Sequence, residues 1–139
     1  MDKVFKVLKI EHVAIAVRDS SSALGLFELL GMDIGKTEFI KDQKVNVVKV
    51  RTESKDHTIE LLEASDDSSI IKKFINKNGE GLHHIALEVD DIEAAISYLS
   101  YNGIELIYDS PKVGANGKLI TFVSPKSTPG ILLELCQSL

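Results

Sequence analysis

Four side chains have the types and spacing of a metal centre. His12 and Glu60 stand 48 residues apart, and His84 and Glu134 stand 50 apart. Each histidine opens a strand-like run and each glutamate lies inside a later one. Two imidazoles and two carboxylates suit a divalent first-row ion and leave coordination positions for water or substrate. Without a cation, two carboxylates aimed into an apolar interior are costly. Singly, each residue also has an ordinary role: a core histidine, or a glutamate facing solvent from an alternating strand. What joins them is that the chain repeats itself.

The run IEHVAIAVRDSSSALGLFELLGMDI (10–34) aligns with LHHIALEVDDIEAAISYLSYNGIEL (82–106). His12 falls on His84, Asp19 on Asp91 and Gly31 on Gly103, all at an offset of 72. HTIELLEA (57–64) aligns with GILLELCQ (130–137) at an offset of 74, setting Glu60 on Glu134. His83 aligns instead with Glu11, and strand alternation puts residues 83 and 84 on opposite faces. The repeat therefore selects His84 over His83.

Each half reads as strand, capped helix, glycine stop and further strands. Ile10, Val13, Ile15 and Val17 are strand formers. Asp19 or Ser20 caps a helix carrying Ala23, Leu24, Phe27 and Leu30 at helical spacing, and Gly31 ends it. In the second half Asp91 caps, Ile92, Ala95, Ile96 and Leu99 form the stripe, and Gly103 stops it. KVNVVKV (44–50) and LITFVS (119–124) are further strands. SSIIKKFINKNG (68–79), with Ile70, Ile71, Phe74 and Ile75 on one face, predicts a linking helix. The expectation is an α+β chain of two tandem βαβββ modules in one domain over 1–139, with module one at about 8–65, the linker helix at about 67–78 and module two at about 81–139.

A net charge of −5 disfavours nucleic acid as a partner, since phosphate binding needs a basic footprint. The single cysteine, Cys136, excludes an intrachain disulfide and reads as a buried thiol. No run approaches the roughly 20 apolar residues of a membrane span. The start, MDKVFKVLKI, has no signal-peptide h-region, so the expected location is cytoplasmic.

The duplicated pattern with His and Glu at these places resembles the vicinal oxygen chelate superfamily, and within it the methylmalonyl-CoA epimerase family. The resemblance is carried by IEHVAIAV, HTIELLEA, SSIIKKFINKNGEGLHHIALEVDDI and GANGKLITFVSPKSTPGILLELC. It implies a curved mixed sheet around a metal-binding cleft. It implies an isomerase interconverting (2R)- and (2S)-methylmalonyl-CoA by proton abstraction and return at C2 through a metal-stabilised enolate. The ion, cobalt or manganese by preference, with nickel, zinc or magnesium compatible, is implied on His12, Glu60, His84 and Glu134. The second ligand is glutamine in some relatives, so Glu60 makes this site one charge more negative. Family bases match Glu134 and, in the stretch Asp42-Gln43-Lys44-Val45, Asp42. Aspartate there is one methylene shorter than the family's glutamate, and a turn role for Asp42 is equally open.

The same resemblance makes Gln43, Lys118, Ser124 and Lys126 candidates for substrate contact. Ser124 stands where relatives carry histidine, and both lysines also read as surface residues. The implied partners are an acyl-CoA substrate and a second copy of the chain. Two alternatives stay open: a glyoxalase I-like lactoylglutathione lyase using the same four ligands, and a non-catalytic protein that sequesters a small molecule.

Overall fold

Alternation in the strands of His12 and His84 buries residues at least partly on both faces, one of which a helix covers. In a computed structural model describing residues 1–139, the elements are β1 (Val7–Ala16), α1 (Ser20–Leu29), β2 (Asp33–Ile40), β3 (Val45–Arg51), β4 (Thr58–Ala64), α2 (Ile70–Asn78), β5 (Gly81–Val89), α3 (Ile92–Tyr101), β6 (Lys112–Val113), β7 (Leu119–Val123) and β8 (Leu132–Gln137). The chain divides into two compact units, His12–His83 and Met1–Glu11 with His84–Leu139. No helix is long and apolar enough to cross a membrane.

In the unit His12–His83 the strand order is β2-β3-β4-β1. β1 runs parallel to β4, and β2–β3 and β3–β4 are antiparallel. Val17, Val48, Val50 and Leu61 are buried on one face, with Ala23, Leu24 and Phe27 of α1 packed against them. The Asp19 side chain caps α1 by accepting from the Ser21 N–H at 3.0 Å. Gly31, at φ +77°, turns the chain through the left-handed region that a glycine enters without penalty. In α2 the predicted apolar face is narrower than its sequence: Ile71 and Ile75 are buried, whereas Ile70 is 48% exposed. Ile70 is the first helical residue, directly after the Ser69 cap, where the burying face has not yet begun.

In the other unit the order is β5-β8-β7-β6, again with a parallel pair, β5–β8, joined to antiparallel neighbours. Val89, Ile92, Ala95, Ile96, Leu106, Val123 and Leu135 form its core together with Phe5 from the start of the chain. Phe5 is fixed there by its neighbour: the Lys6 N–H donates to Asp90 Oδ1 at 2.7 Å, and the Asp90 N–H donates to the Lys6 carbonyl at 3.1 Å. The expected βαβββ pattern is present in both halves, with one asymmetry. β6 has two residues where its counterpart β2 has eight. Pro111, immediately before β6, has no N–H to give a ladder, and only a single bridge, Leu106 to Val123, precedes it.

The α3 cap is a local bond holding a helix that seals this core. Asp91 accepts from the Ala94 N–H at 3.0 Å. Asp91→Ala is expected to destabilise the protein by about 1 kcal/mol, read as a lower urea midpoint at unchanged m-value. An unmoved midpoint would mean that this bond contributes nothing in solution.

Candidate metal centre

In the unit His12–His83, parallel pairing of β1 and β4 sets Ala14 opposite Glu60. His12 lies two residues before Ala14, on the same face of the strand. Its Nδ1 is 3.3 Å from Glu60 Oε2. Both side chains are 6% exposed. The helix-facing residues Val17 and Leu61 lie on the opposite face, so α1 does not compete for this space.

The second unit builds the same arrangement. Pairing of β5 and β8 sets Ala86 opposite Glu134. His84 lies two residues before Ala86, and its Nε2 is 3.2 Å from Glu134 Oε1. The register is the repeat of the first pair, residue for residue. Across the third strand the halves differ: Lys49 is the partner of Glu60, and Phe122 the partner of Glu134. The Phe122 ring meets His84 edge to face, with centroids 5.7 Å apart.

The chemistry of each pair fits a divalent ion. Two donors each about 2.1 Å from one ion lie about 3.0 Å apart at a right angle and about 3.4 Å apart at the tetrahedral angle. The observed separations of 3.3 and 3.2 Å fall in this range. Carboxylates this deeply buried also need positive charge beside them. His83 packs elsewhere, edge-on to Phe74 at 4.9 Å.

The remaining predicted residues have varied surroundings. Asp42 is exposed and Gln43 half-buried in the turn joining β2 to β3. Ser124 is 7% exposed, and its hydroxyl accepts from the Lys126 N–H at 3.3 Å, capping a short 3-10 turn. Lys126 is exposed. Lys118 is paired within its own unit: its Nζ lies 2.5 Å from Glu11 Oε1 and 3.9 Å from Glu88 Oε1. Burial pushes its ammonium pKa down, but the Glu11 bond, then the charges of Glu11, Cys136 and Glu88, outweigh this and raise it.

Two features went unread in the sequence although it carries a signal for one. Each ligand-type histidine is followed two residues later by alanine, His12-Val13-Ala14 and His84-Ile85-Ala86, and both alanines are 0% exposed. They are the strand partners of the glutamates, and a larger side chain there would fill the space beside each carboxylate. The pairing of Lys118 with Glu11 has no local signal, because its partners are 107 residues apart.

The chain is similar in sequence and in fold to known proteins. Residues 11–122 match the Glyoxalase/Bleomycin resistance protein/Dioxygenase superfamily. The chain is 39% identical over 129 residues to the mitochondrial methylmalonyl-CoA epimerase of Dictyostelium discoideum, spanning 91% of this chain and 76% of that protein. The crystal structure of methylmalonyl-CoA epimerase from Mycobacterium tuberculosis superposes with a TM-score of 0.90 at 31% identity, over 96% of this chain and 89% of that one. A methylmalonyl-CoA epimerase in complex with methylmalonyl-CoA and an ammonium ion superposes with a TM-score of 0.88 at 31% identity, over 96% of both chains. The α+β fold expected from the resemblance is thus the fold of these structures.

Cys136 lies on the Glu134 strand, is 0% exposed, and places its Sγ 3.6 Å from the Leu87 carbonyl. Desolvation, followed by the charges of Glu134, Glu11 and Glu88, pushes its thiol pKa up to about 12. The thiolate is the reactive form, so an aromatic disulfide reagent at pH 8 is expected to modify no thiol in the native protein and one after unfolding. Rapid labelling of native protein would contradict this.

Proposed function

The chain belongs to the Glyoxalase/Bleomycin resistance protein/Dioxygenase superfamily, and from that premise we propose that it is a methylmalonyl-CoA epimerase. The reading is that it interconverts (2R)- and (2S)-methylmalonyl-CoA by removing a proton from C2 and returning one to the opposite face. The observation that carries it is the pair of buried, repeat-related His–Glu contacts, His12–Glu60 and His84–Glu134, in a chain so similar to methylmalonyl-CoA epimerases over most of its length.

In this reading the donors of one divalent ion are His12, Glu60, His84 and Glu134. When bound, the ion supplies positive charge for the negative charge that develops on the substrate's thioester oxygen. Ligand type admits cobalt or manganese first, and several other first-row ions. Everything else falls to the chain. Glu134 is the base that carries a proton at one face of C2, in a buried position that excludes water. Asp42 serves the opposite face from its exposed turn, so that two carboxylates act from opposite sides of one oriented carbon. Gln43 and Lys126 stand open to the acyl-CoA. Lys118, paired with Glu11, and Ser124, whose hydroxyl accepts from the Lys126 N–H, are the further candidates for substrate contact. The active form is read as a homodimer.

Glu134→Gln is expected to abolish deuterium incorporation at C2 of methylmalonyl-CoA in heavy water while the circular dichroism spectrum stays native. Removal of metal with a chelator is expected to stop turnover, and added cobalt or manganese to restore it. Exchange at the wild-type rate in the Glu134→Gln protein would remove this residue from the mechanism. Activity unaffected by exhaustive chelation would remove the ion.

A further inference from the structure

The turn that carries Asp42 is closed by the Lys44 N–H donating to the Lys41 carbonyl at 3.2 Å, and it is held further by atoms outside it. Lys41–Lys44 form the link between β2 and β3, and Lys44 sits at φ +52°, in the left-handed region that a side chain disfavours. Nothing in the turn's own sequence offers the glycine or asparagine that such a position prefers. The conformation is instead tied to the segment between β4 and α2. The Ser65 N–H donates to the Lys44 carbonyl at 3.0 Å. Lys44 Nζ donates to Ser68 Oγ at 2.7 Å. Ser68 is itself anchored, its hydroxyl donating to Asp66 Oδ1 at 2.6 Å and its N–H to the same oxygen at 2.8 Å. The hydroxyl of Ser69, which is 1% exposed and caps α2, donates weakly to the Gln43 carbonyl at 3.4 Å. Residues 43 and 44 are therefore bonded at three points to the segment between β4 and α2, and Asp42 is their immediate neighbour.

We propose that Lys44 is a positioning residue for the second base: its bond to Ser68 clamps the β2–β3 turn onto the start of α2 and so fixes where the Asp42 carboxylate lies. The inference rests on the epimerase reading and on Asp42 as one of its two bases. A clamp has particular value for aspartate. A base with one methylene less has fewer torsions with which to find the substrate carbon, so its backbone must supply the placement. Lys44 and Ser68 are both exposed, so their bond is dispensable for the core and available for this purpose.

The test exploits the division of labour between two bases. Each epimer loses its C2 proton to the base on its own side, so loosening one base slows exchange from one epimer and spares the other. Deuterium exchange at C2 is measured separately from the (2R) and (2S) epimers, with Lys44→Met, Ser68→Ala, the double variant and Lys44→Arg. Lys44→Met is expected to slow exchange from one epimer by roughly tenfold, the scale of one lost hydrogen bond to a charged group, and from the other less than about twofold. Ser68→Ala, which also removes the hydroxyl's bond to Asp66, gives the same asymmetry, and the double variant is no slower than the slower single one, because both singles already break the Lys44–Ser68 bond. Lys44→Arg, which keeps a donor, recovers most of the rate. Thermal midpoints stay at the wild-type value. Equal slowing of both epimers, no slowing, or multiplied defects in the double variant would overturn the clamp. A wild-type protein that exchanges neither epimer would instead overturn the epimerase reading, and the clamp with it.

Discussion

A carboxylate cannot be taken out of water cheaply unless positive charge comes with it. Glu60 and Glu134, 5% and 6% exposed, each have an imidazole about one hydrogen bond away. Much of the local fold serves that contact. Parallel pairing brings the histidine strand beside the glutamate strand, although each pair is about fifty residues apart in the chain. Alanine at the position opposite each glutamate leaves space beside the carboxylate. Alternation sends valine, leucine and isoleucine to the other face, where a helix covers them. An imidazole neutralises a carboxylate only when protonated, whereas a divalent ion held as proposed would do so without a proton.

The halves are alike where ligands are concerned and unlike where the substrate's asymmetry would matter. The His-x-Ala strand and the glutamate register recur without change. The third strand does not: it sets Lys49 opposite Glu60 and Phe122 opposite Glu134. The hairpin does not recur either, since an eight-residue β2 leads into the Asp42 turn while its counterpart is cut to two residues before a glycine-containing loop. On the proposed reading this is what an epimerase needs. One ion sees a nearly symmetric donor set, while two dissimilar bases address the two faces of a single carbon.

Much of this was legible from residues alone. Of the two expected caps for α1, Asp19 rather than Ser20 is the one used, Asp91 caps α3 as expected, and Gly31 and Gly103 take the positive φ of a helix stop. Alternation separates His83 from His84, and the repeat selects His84; the two do face different surroundings, His84 meeting Glu134 and His83 meeting Phe74. What was not legible depends on pairing between distant strands. Lys118 reads as a surface lysine until Glu11 and Glu88 are brought to it. The KDQK turn (41–44) gives no hint of a left-handed residue, because most of the bonds that hold it come from residues 65–69. The shortness of β6 was foreshadowed only by Pro111.

The central claim, that the two buried pairs serve a single ion, is tested most directly by counting metal. Purified protein reconstituted with cobalt and freed of excess is predicted to hold one ion per chain by elemental analysis. His12→Ala and His84→Ala, each altering a different half, are predicted to lose that ion alike while remaining folded. Two ions per chain, or full retention by either variant, would contradict the account.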